Sequence, residues 1–96
     1  MRVMVKFSFP TTDDSNSWIR DKSMGPKMET MLGNIQPEAA YFAPVDGKRG
    51  GYLVINMDDA SELVTKLEPL FQELSAAIET IPVMVPDDLR VGMQRL

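Results

Sequence analysis

The chain has no cysteine and no histidine among its 96 residues. Without thiols there are no disulfides, no thiolate nucleophile and no cysteine zinc site. Without imidazole there is no Ser-His-Asp triad, no histidine-ligated haem and no side chain that titrates near neutrality unperturbed. Any reaction must therefore use carboxylates, Lys, Arg, Tyr, Trp or amides. Positive charge is also scarce. Ten Lys and Arg against 14 Asp and Glu leave a net −4, so no global field attracts a phosphate backbone. No apolar run approaches the roughly 20 residues needed to span a bilayer. The stretch Met1 to Phe9 has neither the h-region nor the cleavage site of a signal peptide. The expectation is a cytoplasmic protein with no cofactor, no nucleic-acid partner and no membrane partner.

What is present has a clear period. Val3, Val5, Phe7 and Phe9 alternate with Met4, Lys6 and Ser8, the pattern of a strand with one apolar face. Pro10-Thr11-Thr12 ends it, and Thr12 or Asp13 can cap a first helix carrying Trp18 and Ile19. Gly25-Pro26 should break that helix, with a second segment holding Pro26 in its first turn. Met24, Met28, Met31 and Leu32 recur at helical spacing and should face the sheet, and Gly33-Asn34 should close the segment. Glu38 to Val45 reads as a second strand, Asp46 to Gly51 as a hairpin turn and Tyr52 to Met57 as a third strand. Leu63, Val64, Leu67, Leu70, Phe71 and Leu74 then form an unbroken helical stripe with Pro69 inside it. A proline there costs about 3 kcal/mol in a regular helix, which predicts two in-line segments kinked near Glu68-Pro69. Ala76 to Val85 is a fourth strand, and Asp87 to Leu96 a short closing helix.

This order predicts an α+β fold, a single ferredoxin-like βαββαβ domain over residues 1–96, with a four-stranded antiparallel sheet and helices on one face. Prolines in strands belong at sheet edges. Pro44 lies in the second strand and Pro82 in the fourth, so the expected order is 4-1-3-2. The middle strands read Ala39-Ala40-Tyr41-Phe42-Ala43 and Tyr52-Leu53-Val54-Ile55, apolar on both sides. A sheet with one wet face should alternate cleanly. Helices cover only one face, so a second copy packed sheet to sheet is the simplest cover for the other. A homodimer is expected.

With these features the chain resembles the dimeric α+β barrel superfamily of ferredoxin-like proteins. That group holds cofactor-free monooxygenases, haem-degrading enzymes, muconolactone isomerase and many small bacterial proteins of no assigned activity. Pro37-Glu38-Ala39-Ala40-Tyr41-Phe42, Arg49-Gly50-Gly51, Glu68-Pro69-Leu70-Phe71 and Pro82-Val83-Met84 look like segments of that last, bacterial branch. Haem-degrading members use a histidine on the metal, and this chain has none. Cofactor-free oxygenases of the group place Asn, Trp, Tyr and Arg around an aromatic substrate. Asn16, Trp18, Arg20 and Tyr41 supply those residue types here.

Several clusters have a functional and a plainer structural reading. Three acidic doublets, Asp13-Asp14, Asp58-Asp59 and Asp87-Asp88, would be oxygen ligands in a metal site. Each also opens a helix, where carboxylates cap free N–H groups, and Asp59 with Glu62 has capping-box spacing. Arg49-Gly50-Gly51 is either an anion cradle or a hairpin that needs positive φ, with Arg49 in solvent. An RNA-recognition platform is excluded, since its aromatic positions hold Gly51, Leu53 and Asn56. The methionines are adaptable core filler. Lys6, the one charge within the first strand, should reach the rim of the dimer interface or pair with Glu79.

Asn16 and Arg20 lie one turn apart on the first helix and offer a planar fork plus an amide. The alternative for that face is plain solvation. With Tyr41 and Arg49 they make the expected ligand-binding set: Asn16, Arg20, Tyr41 and Arg49. The leading expectation is a small dimeric barrel that binds a modest organic ligand between sheet and helices. The first alternative is a cofactor-free enzyme, monooxygenase- or isomerase-like, acting on a small aromatic or carbonyl substrate with Glu38 or Glu68 as base. The second is an assembly protein without a pocket.

Overall fold

A computed structural model describes all 96 residues. The elements are β1 (Arg2–Ser8), α1 (Asp13–Arg20), α2 (Met24–Ile35), β2 (Ala39–Val45), β3 (Lys48–Asn56), α3 (Glu62–Leu74), β4 (Ala77–Val83) and α4 (Pro86–Gln94). The four strands form one antiparallel sheet in the order β2-β3-β1-β4. This is the ferredoxin-like arrangement, and Pro44 and Pro82 both lie on its edge strands, where a missing N–H breaks no ladder bond.

Register assigns the faces. Val5 is opposite Leu53 and Leu53 opposite Ala40, while Met4 is opposite both Val54 and Ile81. Val3, Val5, Phe7, Leu53 and Ile55 join Met31, Leu67, Leu70 and Leu74 from α2 and α3 in the core, with Trp18, Met24, Met28 and Leu32 packed against it. The methionine stripe thus faces the sheet as its spacing predicts. Arg2, Met4, Lys6, Tyr41, Tyr52, Val54 and Ile81 occupy the far face, which no helix covers.

Local chemistry explains the boundaries, several of which differ from expectation; β4 ends at Val83 and not Val85, and α4 runs from Pro86 only to Gln94. Thr12 is the cap of α1: its hydroxyl accepts from Ser15 N–H at 3.2 Å, and Ser15 Oγ accepts from Thr12 N–H at 3.0 Å. The first helix stops at Arg20, before Gly25-Pro26. Lys22 takes φ 64°, and Asp21 accepts from Ser23 N–H at 2.9 Å to start α2. Pro26 is then the third residue of α2, where a backbone N–H would have no helical partner anyway. The second helix also runs past Gly33-Asn34 to Ile35, because Ile35 is fully buried and anchors the last turn. Gln36, at φ 52°, makes the left-handed cap that glycine was expected to supply.

The third helix is one element through Pro69, not two. Leu67, Leu70 and Leu74 flank the proline and are all buried. At about 1.5–3 kcal/mol for each buried side chain, they outweigh the lost hydrogen bond. The hairpin turn is only Asp46-Gly47, at φ 52° and 78°, the left-handed pair that a two-residue turn requires. Lys48 to Gly51 already belong to β3, so Arg49 is not on a turn.

The acidic doublets serve helix starts. Glu62 accepts from Asp58 N–H at 2.7 Å and Asp59 N–H at 3.0 Å, and Asp88 accepts from Val85 N–H at 3.1 Å. The Ser23 hydroxyl and then its backbone N–H hold the Asp21 carboxyl below the ordinary range, and Ser61 does the same for Asp59.

Candidate functional site

Strand alternation sends Arg49 to the helix-covered side, in line with Gly51, Leu53 and Ile55. Its backbone carbonyl accepts from Phe9 N–H at 2.9 Å, which extends the β1 ladder past Ser8 and fixes the root of the side chain. The next residues on β3 make room for it. A Cβ on Gly50 would collide with the backbone oxygen of Phe7, and one on Gly51 with that of Tyr41. These glycines are therefore required by close approach of the strands, not by positive φ. The bare inner face at Gly51 is filled from both sides. Its β1 neighbour Phe7 and its β2 neighbour Phe42 meet edge to face, with centroids 6.5 Å apart and an interplanar angle of 82°.

Beside this pair lies an apolar crevice of about 230 Å³ between the end of β1, the α1–α2 corner and the β2 edge. Phe9, Ile19, Met24, Met28 and Phe42 line it, with Arg49 as its one charged wall. A shallower cleft of about 510 Å³ continues from it past Thr11, Pro44 and Lys48, sharing Phe42, Arg49 and Gly50. Arg49 is half-buried. The one protein partner of its guanidinium is the Asn16 side-chain oxygen, to which Nη1 donates at 2.9 Å. No carboxylate pairs with it. Four of the five guanidinium N–H groups thus remain unused by the protein, next to an apolar wall.

The structure joins two of the four expected site residues, Asn16 and Arg49, from elements far apart in sequence. Arg20 is exposed at the end of α1, one residue beyond Ile19 of the crevice wall, and pairs with no acid. Tyr41 points from the opposite face of the sheet and is 65% exposed, so one ligand in the crevice does not touch both Tyr41 and Arg49 of the same chain. Trp18 packs on the core, with the Lys27 ammonium 4.2 Å from its ring centroid.

Neither candidate base lies at the crevice. Glu38 is held by Arg2 Nε, which donates to its two oxygens at 2.9 and 3.1 Å at the other end of β2. Glu68 is exposed on α3 and accepts from Gln72 at 2.8 Å. It lines a larger groove of about 700 Å³ between α2 and α3 with Lys27, Thr30, Asn34, Gln72 and Glu73. Most of the residues lining that groove are polar, and its one cation is already engaged, by Glu73 at 3.8 Å and by Trp18. Sequence reasoning did not find the apolar lining from Phe9, Ile19 and Met24. The adjacent Gly50-Gly51 was the available signal, since paired glycines within a strand mark close backbone approach.

No helix is long and apolar enough to cross a membrane. No protein-family model matches the chain, and no curated protein matches it.

Proposed function

We propose that the protein binds a small organic anion in the crevice at Arg49, between sheet and helices, and does so as a homodimer closed through the open face of its sheet. The observation that carries the ligand reading is a half-buried arginine whose guanidinium meets no carboxylate, beside an apolar wall. Partial burial of an unpaired cation is costly, and a carboxylate that accepts two of its free N–H groups would offset that cost. The crevice alone is smaller than the roughly 300–1,000 Å³ of sites for drug-sized ligands. Its occupant is therefore compact, with the acidic group at Arg49 and Asn16 and an apolar or aromatic body against Phe42 and Met28. Arg20, beside the crevice wall, adds positive charge at the approach.

The far sheet face supports the dimer. Met4, Tyr52 and Val54 form its centre, with the Arg2–Glu38 pair at one end and Lys6 with Asp46 and Glu79 at the other. An apolar centre with a charged rim is the usual plan of a protein interface. Tyr41 belongs to this surface. Such a dimer is the arrangement of the α+β barrel superfamily that the sequence resembles, bacterial branch and cytoplasmic setting included.

Titration with benzoate, read by thermal unfolding, tests the ligand reading. Millimolar benzoate raises the melting temperature of the native chain, benzyl alcohol at the same concentration does not, and Arg49→Gln removes the shift. A benzoate shift that survives in Arg49→Gln would overturn the assignment. No specific observation favours catalysis, since the carboxylates proposed as bases lie elsewhere.

A further inference from the structure

The α4 helix has nothing to hold it. All nine of its residues are exposed, and the side-chain hydrogen bond and ion pair at this helix are both local, Asp88 to Val85 N–H at 3.1 Å and Arg90 to Asp87 at 3.7 Å. An isolated helix in water needs roughly 12–15 residues even with favourable composition. A nine-residue helix that contains a glycine therefore depends on packing that the single chain does not provide. Its sequence carries the means to pack. Leu89 and Met93 lie one turn apart on the helix as a short apolar stripe, with Val85 at the N-terminal cap and Leu96 just past the helix end, and Leu89, Met93 and Leu96 are 51%, 60% and 97% exposed.

Two further observations bear on what covers the stripe. The first is continuity. Val83 stands opposite Arg2 on the open sheet face, and a cleft of about 380 Å³ joins it to Met84, Val85, Pro86 and Leu89. The stripe thus continues from the Arg2 end of the open sheet face. The second is area. The chain exposes 6376 Å², whereas a folded monomer of its mass exposes about 5,500 Å². The excess is close to the roughly 800 Å² that each partner contributes to a standard interface. The radius of gyration, 15.2 Å, likewise exceeds the about 12.5 Å of a compact chain this long.

We infer that α4 is an arm that docks on a second copy of this chain, laying the Val85–Leu89–Met93–Leu96 stripe against the partner as each partner does in return. The inference rests on the sheet-face dimer proposed above and assigns it a second, separable contact.

Hydrogen exchange of the full chain across a dilution series, with sedimentation equilibrium on the same samples, tests it. Amides of α4 are expected to be protected at least tenfold above the dimerisation concentration and to lose that protection below it. The double variant Leu89→Gln/Met93→Gln should weaken dimerisation at least tenfold with unchanged far-ultraviolet dichroism of the body, because both side chains are exposed in the single chain. A dimer whose α4 amides exchange freely, or whose affinity is unchanged in the double variant, overturns the arm and leaves the sheet-face dimer standing. Protection that persists in the monomer shows that the stripe folds back on its own chain, and also overturns the arm. A native chain that stays monomeric to millimolar concentration removes the dimer and the arm together.

Discussion

On its helix side the sheet presents Val3, Val5, Phe7, Leu53 and Ile55, all buried; on the other, Met4, Tyr52 and Val54 are half-covered and Tyr41 and Ile81 open. On β1 and β3 the two sets alternate residue by residue, while Tyr41 and Ile81 come from the edge strands β2 and β4. The sets differ first in what lies above them, and second in the charges of Arg2, Lys6 and Glu79 that flank the apolar centre of the open face. The covered face draws its stability from burial at about 25 cal/mol per Å² of apolar area. The open face carries similar side chains and gains little of it within one chain. Apolar residues placed where they do not stabilise the single chain are the basis of the interface proposed above.

Adjacent positions on β3 break this comparison most directly. Leu53→Ala removes a side chain that is 1% exposed, and should cost the chain about 2–5 kcal/mol. Val54→Ala, one residue on and on the opposite face, should cost the monomer less than about 1 kcal/mol, yet weaken association. Urea unfolding below and above the dimerisation concentration separates the two terms. Equal losses in dilute solution would mean that the open face is already packed within the single chain.

The next effect concerns how tightly the strands approach near the crevice. Gly51→Ala places a methyl against the Tyr41 carbonyl and 3.2 Å from the edge of the Phe7 ring. Overpacking of this kind costs about 1–3 kcal/mol. The strain falls on the Phe7–Phe42 pair, so the variant should also lose the benzoate shift, whereas Val54→Ala should keep it. A Gly51→Ala protein with native stability would show that strands β2 and β3 separate freely at this point.

The sequence was informative where one physical signal dominated. Alternation in Val3–Phe9, the leucine stripe of α3 and the edge preference of Pro44 and Pro82 were enough for strand order and faces. It was less informative where two signals competed. Pro69 argues for a break, but the burial of its neighbours is a tertiary quantity that no local rule contains. Gly33 argues for a helix end, and Ile35 overrides it for the same reason. At the crevice, residue types were legible and partnership was not. Asn16 and Arg20 share a helix face by spacing, while the Asn16–Arg49 hydrogen bond joins residues 33 apart that only the folded β-sheet brings together. Tyr41 was readable as a half-polar strand residue, but its face depends on register, which one position of slippage reverses.

The smallest expected effect sharpens the comparison at the rim of the open face. Lys6 lies on that face, its ammonium 3.2 Å from Asp46 and 3.8 Å from Glu79. The hydrogen bond to Asp46 first, then the charges of Asp46 and Glu79, raise its pKa above the ordinary lysine value of 10.5. A raised lysine stabilises the folded chain fully below the unfolded value, and that contribution fades as pH rises through the folded one. Stability attributable to Lys6 should therefore be flat from neutrality to about pH 10 and fall only above it. Lys6→Met should flatten this alkaline decline while leaving the neutral-pH midpoint nearly unchanged, because exposed ion pairs contribute little. The same substitution leaves Asp46 and Glu79 without a counter-charge at the rim of the open face, so it should weaken association slightly, by a repulsion that added salt screens. Urea midpoints collected from pH 7 to 11 would settle the sign. An alkaline decline identical in Lys6→Met would show that the Lys6 cluster does not couple folding to pH.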